Sequence, residues 1–282
     1  MKDFIDKTVF LTGGSSGIGL AVARLLAAAG ASVVIFARHE EKLAAALAEI
    51  ERCRVSPAQL SACRRLDVAD HDMVTAVMSE AVAACGAPDL LINNVGRALP
   101  RHVEDVTFGQ FAETMKTNLY GAWSTISVLV PHMKARGGAI VNVSSMAGLI
   151  GVFGYTDYCA SKFAVVGLSE ARRRELWRYG ITVSVLCPPD TDTPGLVSED
   201  VTKPAETKAL SAGAKLMQPD DVAKALLKGI RRGSFLIVPG RDGKLAWFVK
   251  RHAPAVVDRV MRRRIRQAQQ RSREAGTPRG ER

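Results

Sequence analysis

No apolar run in the chain approaches the roughly 18 residues that a membrane-spanning helix needs, which argues against an integral membrane bundle. The N-terminus, MKDFIDKTVFLTGG, lacks the apolar core of a secretory signal, because acidic residues and glycines interrupt it. Cysteine is sparse as well. The five thiols, Cys53, Cys63, Cys85, Cys159 and Cys187, are odd in number, widely spaced and free of any C-x-x-C pair, so neither a disulfide framework nor a zinc site is expected. They read as reduced thiols of a cytoplasmic protein with no metal. Repeats at solenoid periods are missing, and low-complexity sequence is confined to an Arg- and Gln-rich C-terminal stretch. That stretch is short of acid. Positions 241–282 hold 13 Lys and Arg against 4 Asp and Glu, and so carry +9 of a net charge of +11. A fold needs no such excess for its own sake, and the bias predicts a basic tail that seeks an anionic surface.

What the chain does have is an ordinary globular composition, 47% hydrophobic and 24% charged, over 282 residues, enough for one large α/β domain (1–240) and a tail (241–282). Short β-branched runs alternate with amphipathic segments: TVFLT (8–12), SVVIF (32–36), LSACRRL (60–66), DLLIN (89–93), AIVNVSS (139–145), ITVSVLC (181–187) and FLIV (235–238). Helices are predicted over 17–29, 39–52, 70–85, about 110–136, 157–179 and 220–232, with a loop-and-helix insertion before the last. Apolar runs uninterrupted by polar residues suit parallel strands covered on both faces. The fold class expected is therefore α/β: a doubly wound, Rossmann-type, seven-stranded parallel sheet with helices on both faces, followed by a basic helical tail.

TGGSSGIG (12–19) closes the first strand and opens the first helix, with Gly13, Gly17 and Gly19 spaced G-x-x-x-G-x-G. Glycines there let backbone N–H groups and the helix N-terminus approach a pyrophosphate, and the strand–helix context favours that reading over a purely steric turn. An acid that would hold ribose hydroxyls is missing after the second strand, which ends FARHEEK; Arg38 stands there instead. A 2′-phosphate would suit Arg38, so NADP(H) is preferred over a solvated surface arginine. Asp67 of RLDVAD suits either an adenine amino group or a helix N-cap.

The pair in YCASK is the chemical centre. On a helix, Tyr158 and Lys162 share a face, and an ammonium near a phenol favours phenolate, lowering the tyrosine from its usual pKa of about 10. A phenol so tuned can give or take a proton near neutral pH. Tyr155, seven residues before the lysine, is set aside, and Phe163 and Trp177 read as packing residues. Ser144 and Ser145 end the strand VNVSS at the carboxyl edge of the sheet, where a hydroxyl could bind a ketone oxygen. No His/Asp arrangement beside them makes a nucleophile: His71, His102, His132 and His252 fall in helical or loop contexts and His39 at a helix start, which disfavours a hydrolase.

TGGSSGIG, NNVG (93–96), Asn118 in KTNLYG, the serines at 144–145 and Y-x-x-x-K together resemble the short-chain dehydrogenase/reductase family over residues 7–240. The resemblance implies Tyr158 as general acid in reduction, Lys162 lowering its pKa and holding the nicotinamide ribose, Ser145 polarising the carbonyl, and Asn118 ordering a proton-relay water. Ser145 rather than Ser144 matches the family's 13-residue spacing to the tyrosine. It further implies that Gly13, Ser15, Ser16, Gly17, Ile18, Gly19, Arg38, Asp67, Val68, Asn94, Gly96, Tyr158, Lys162, Pro188, Thr191 and Thr193 bind the cofactor, Thr191 and Thr193 beside the nicotinamide. Two departures stand out, NNVG for the usual NNAG and Pro189 in CPPDTDTPG (187–195) where glycine is normal. The second, with TKPAET (202–207) and GLIGVFGYTDYCASKFAVVGLSE, is similar to the pattern of the family's 3-ketodihydrosphingosine reductases. That likeness implies NADPH-dependent reduction of a long-chain 3-keto lipid; other hydrophobic ketones, acyl thioesters and steroids stay open, as does a non-catalytic nucleotide-sensing scaffold. A homo-oligomer, dimer or tetramer, is implied by the family.

In KLAWFVKRHAPAVVDRVMRRRIRQAQQR (244–271), Val256, Val257, Val260, Met261 and Ile265 recur at near-helical spacing beside arginines. Such a helix either lies on an anionic membrane surface, peripheral to its inner face, or packs on the catalytic domain or a partner subunit. Nucleic acid fits less well, because no aromatics interleave the basic cluster. Residues beyond about 272 read as disordered.

Overall fold

A computed structural model describes residues 1–212 and 215–274 of the chain. Seven strands run in parallel: β1 (Thr8–Thr12), β2 (Ser32–Ala37), β3 (Ser61–Arg65), β4 (Leu90–Asn93), β5 (Gly138–Val143), β6 (Ile181–Leu186) and β7 (Leu236–Ile237), in the spatial order β3-β2-β1-β4-β5-β6-β7. Eleven α-helices accompany them among the described residues: α1 (Gly17–Ala28), α2 (Glu40–Arg52), α3 (His71–Cys85), α4 (Phe108–Met115), α5 (Gly121–Met133), α6 (Thr156–Leu176), α7 (Pro194–Asp200), α8 (Ala205–Ser211), α9 (Pro219–Arg231), α10 (Arg241–His252) and α11 (Pro254–Glu274). The predicted doubly wound sheet is present.

The continuous apolar strands are explained by the pleat. Val9, Leu11, Val33 and Ile35 point to one face, where Leu26, Leu226 and Ile230 of α1 and α9 cover them. Phe10, Val34 and Phe36 point to the other, against Met78, Leu129 and Leu176 of α3, α5 and α6. Each such side chain taken fully out of water contributes about 1.5–3 kcal/mol. Local signals start the helices: Asp70 accepts from the Met73 N–H at 2.9 Å, Thr107 from Gln110 at 3.1 Å, and Pro219 stands at the opening of α9.

The structure revises several boundaries. The helix expected over 110–136 is α4, then a π-helical turn over Lys116–Tyr120, then α5. An extra residue in a turn re-aims the side chains that follow, and here it turns Asn118 inward. β7, at the sheet edge, is only two residues long and pairs with β6. Trp177 is 83% exposed and Phe163 45%, so neither is a packing residue of this chain. No helix among the described residues is long and apolar enough to cross a membrane. α11 runs to Glu274, and the expectation for the end of the chain otherwise lies outside the described residues.

A buried polar chain ties the middle of the sheet to its helices. Thr125 on α5 donates to Asn93 Oδ1 at 2.7 Å, Asn93 Nδ2 to Asn142 Oδ1 at 2.9 Å, and Asn142 Nδ2 to Ser169 Oγ on α6 at 2.8 Å. Every link is satisfied, so removing one strands its neighbours without water. Asn142→Ala is expected to lower the unfolding free energy by about 2–4 kcal/mol in urea titrations followed by circular dichroism. A loss below about 1 kcal/mol would show that the chain is not a cooperative unit.

Candidate active site

The carboxyl ends of β1, β4, β5 and β6 converge where the strand order reverses. The loop after β1 is left-handed at Gly13 (φ 69°) and Gly17 (φ 53°), where a side chain would be strained. Gly13 N–H donates to the Phe36 carbonyl at 2.7 Å, and Asn94 Nδ2 donates to the Gly13 carbonyl at 3.1 Å, which pins the loop to β2 and β4. A Cβ on Gly19 would collide with the Gly13 carbonyl. The bare backbone and the N-terminus of α1 therefore form a cradle shaped for phosphate. Ser16, at the cap position, makes no side-chain bond to the helix, and Ser15 precedes it. Thr193 roofs the loop, its side chain 3.0 Å from where a Gly17 Cβ would be.

Arg38 follows β2, is exposed, and has no ion pair among the described residues. Asp67 accepts from the Ala69 N–H at 3.0 Å; the cap of α3 is Asp70, so the alternative reading of Asp67 as a helix cap is overturned. Val68 is buried against Gly121. Gly96 lies beside the lysine: a Cβ there would stand 3.0 Å from Lys162 Nζ and 3.7 Å from Asn118 Oδ1. Asn118 accepts from Arg97 N–H at 2.8 Å and gives its amide hydrogens to the Arg97 carbonyl (3.0 Å) and Ser161 Oγ (2.9 Å).

Helix α6 supplies the reactive pair. Its first turn is anchored by Asp157, buried and accepting from Thr114 Oγ1 at 2.8 Å and Gln110 Nε2 at 3.1 Å, so α4 sets the height of Tyr158. Lys162, 3% exposed, donates to the Val143 carbonyl at 2.9 Å, and its Nζ lies 5.6 Å from the Tyr158 ring centre. Burial lowers the Lys162 pKa to about 8. The serines divide. Ser144 is buried and spent on the Lys162 carbonyl at 2.8 Å, whereas Ser145 accepts from Ala147 N–H at 3.1 Å and lines the open site together with Tyr158.

The expected lowering of Tyr158 is not found. Burial, followed by the charge of Glu199, pushes the phenol above its ordinary value, and the Ser145 hydroxyl offsets only part of this. Burial is the larger cause, and the second, Glu199, is held by Tyr155, set aside in the sequence. Its hydroxyl donates to Glu199 Oε2 at 2.7 Å, and its ring sits 5.5 Å from that of Tyr158. A carboxylate is thus held on the ring that neighbours the Tyr158 phenol, brought there by α7 across 44 residues of sequence.

A cavity of about 660 Å³ opens from this point. Ile18, Ser145, Tyr158, Pro188, Thr191 and Thr193 line its inner end, while Leu245, Val249, Val256, Val257, Val260 and Met261 of α10 and α11 line the outer part. The tail's apolar stripe thus faces the site, and Arg264 of α11 donates to the Leu210 carbonyl of α8 at 3.1 Å. Among the described residues no group of His, Cys, Asp and Glu is arranged to hold a metal.

Residues 7–214 match the family model described as short chain dehydrogenase. The chain belongs to that family. Short chain dehydrogenases are oxidoreductases of carbonyl and hydroxyl groups, and this chain is one of them. It is 41% identical to a 3-dehydrosphinganine reductase of Danio rerio over 237 residues, 83% of this chain and 71% of the relative. It is 40% identical to a 3-ketodihydrosphingosine reductase of Bos taurus over the same shares. The solved structure of a short chain dehydrogenase/reductase from Burkholderia phymatum, in complex with NAD, superposes with a TM-score of 0.80 at 25% identity, covering 91% of this chain and 96% of that one.

In this dehydrogenase the lysine burial carries a measurable cost. The native state prefers neutral Lys162, so below about pH 8 holding the ammonium costs about 3 kcal/mol, and the cost vanishes as pH rises through 10.5. Lys162→Met keeps the volume without the charge. The stability of wild type relative to Lys162→Met is expected to rise by about 3 kcal/mol over that pH window, read from urea titrations without nucleotide. A gap independent of pH would mean that the ammonium is hydrated in the native state.

Proposed function

We propose that the chain reduces the ketone of a long-chain 3-keto sphingoid base, of the 3-ketodihydrosphingosine type, with NADPH. The observation that carries this reading is the cavity that joins Ser145 and Tyr158 to an apolar sleeve made by α10 and α11. A hydrocarbon chain gains from such a lining in proportion to the apolar area it buries, while its polar end is left at the phenol. The names of the relatives from Danio rerio and Bos taurus support the same substrate.

The residues present fit a nicotinamide dinucleotide. The glycine cradle takes the pyrophosphate, with Ser15, Ser16 and Ile18 at its rim, Asp67 and Val68 beside the adenine, Asn94 and Gly96 along the ribose, and Pro188, Thr191 and Thr193 around the nicotinamide. Arg38, unpaired among the described residues, suits the extra phosphate of NADPH. When bound, the cofactor supplies the hydride. Ser145 donates to the ketone oxygen and Tyr158 gives that oxygen its proton. Burial keeps the phenol protonated at neutral pH, as an acid for reduction should be. Lys162 stabilises the phenolate left behind and reaches for the ribose with the hydrogens not used on Val143. Asn118, its amide fully engaged, keeps Gly96 and Arg97 against Lys162 and so orders the proton relay.

The 1–240 segment is the catalytic domain on this reading, and the 241–282 tail, through its helices α10 and α11, completes the substrate site. Exposed Leu245, Phe248, Val256 and Val260 beside Arg262 and Arg263 support a mouth that rests on an anionic bilayer, peripheral and without insertion, from which the lipid enters. Exposed Tyr120, Trp123 and Phe163 support a homo-oligomer.

Tyr158→Phe is expected to lower kcat for 3-ketodihydrosphingosine about a thousand-fold, followed by loss of NADPH absorbance. Turnover of that ketone by the variant at the wild-type rate would sink the mechanism. Arg38→Ala is expected to raise KM for NADPH about tenfold while leaving KM for NADH within about twofold, in steady-state assays with each nucleotide. Equal effects on both would remove Arg38 from the choice of cofactor.

A further inference from the structure

The carboxylate beside the phenol is unexplained by proton transfer. Glu199 raises the energy of the phenolate and so opposes the proton donation that the family's chemistry needs. It is not a structural ion pair, since no salt bridge reaches it among the described residues; its neighbour Lys203 is spent on Asp200 at 2.7 Å. What it has is Tyr155, whose hydroxyl bonds Oε2 and leaves Oε1 open to the cavity that Glu199 lines. Burial pushes the carboxyl above the usual carboxylate range, and the Tyr155 bond, with the charge of Lys203 after it, holds it back. A carboxylate short of water gains more from a cation than one in bulk solvent.

We infer that Glu199, oriented by Tyr155, receives the protonated amine of the substrate and makes the site selective for amino-ketones over amine-free ketones of equal length. The inference rests on the proposed reduction of a 3-keto sphingoid base, and names the group by which that base is recognised. In such a base the amine sits on the carbon next to the ketone. With the ketone oxygen at Ser145 and Tyr158, the amine lies on the side where the two tyrosine rings meet, 5.5 Å apart, and the alkyl chain turns the other way into the sleeve of α10 and α11. Asp190 lines the same end and adds a second negative charge. The basic groups of the lining, Lys215 and Arg264, belong to the outer part, and Arg264 is engaged by the Leu210 carbonyl. Lys162 and Lys203 flank this end but do not line the cavity and are held by the Val143 carbonyl and Asp200, so the charges that face it, those of Glu199 and Asp190, favour a cation and disfavour the anionic arm of a carrier-bound acyl thioester. An ammonium seated on Glu199 also cancels the charge that burdens Tyr158, so the acid strengthens as the correct substrate arrives.

The test compares the NADPH-loaded wild type with Glu199→Gln, which keeps the shape and the bond from Tyr155 while removing the charge, and with Tyr155→Phe. Each is assayed on 3-ketodihydrosphingosine and on its amine-free hydroxy-ketone analogue. Glu199→Gln is expected to cut the ratio of kcat/KM between the two ketones at least about tenfold, mostly through KM for the amino-ketone, and Tyr155→Phe to cut it less. Equal losses on both ketones, or an unchanged ratio, would overturn the inference while leaving the proposed reduction intact. If wild type turns over neither ketone, the reduction itself fails, and binding of dihydrosphingosine against its N-acetyl derivative, by protein fluorescence, decides the inference. Preference for the free amine that Glu199→Gln abolishes upholds it, and no preference, or one that survives the substitution, refutes it.

Discussion

A lysine ammonium drawn out of water between β5 and α6 is the constraint on which the rest depends. Lys162 is 3% exposed and has the Val143 carbonyl as its protein acceptor, so its position is tolerable only if α6 is clamped hard onto the sheet. The clamp is made of buried polar groups. Ser144 bonds the Lys162 carbonyl, Asn142 bonds Ser169, and Asp157 ties the first turn of α6 to Thr114 and Gln110 of α4. Together they hold the helix at its first turn and through its middle, which sets the face that carries Tyr158 and Lys162. The stability spent on burying the ammonium secures a cation beside the phenol, a common exchange at active sites.

Around this clamp the insertion between β6 and α9 and the two C-terminal helices build the substrate side. α7 brings Glu199 to Tyr155, and α11 packs on α8 while turning Val256, Val257, Val260 and Met261 to the cavity. Arg262 and Arg263 of the same helix are exposed, while Arg264 turns to the Leu210 carbonyl. One element therefore presents two kinds of surface, an apolar one that lines the cavity and a basic one that is exposed.

Much of the site was legible because its signals are local. Gly13 and Gly17 are needed for a backbone no other residue adopts easily, and the four-residue step from Tyr158 to Lys162 puts both on one helical face whatever the helix packs against. The π-turn at Asn118 was not legible, since a one-residue insertion in the helical period leaves no mark in composition. Nor was Glu199: in GLVSED it is one acid of two, and the tyrosine that singles it out is remote in sequence. Phe163 and Trp177 misled for a related reason, because large apolar residues are no guide to burial on a helix whose outer face is free.

By itself the sequence determined the doubly wound sheet, the phosphate cradle and the phenol–ammonium pair, because each follows from the period of a strand, the freedom of a glycine or the pitch of a helix. Only the tertiary structure decided that Glu199 meets Tyr155, that the phenol is raised rather than lowered, and that the tail lines the cavity beside it. Those outcomes depend on burial and on charges carried in from distant elements, and desolvation is a property of the packed molecule that no spacing along a chain encodes.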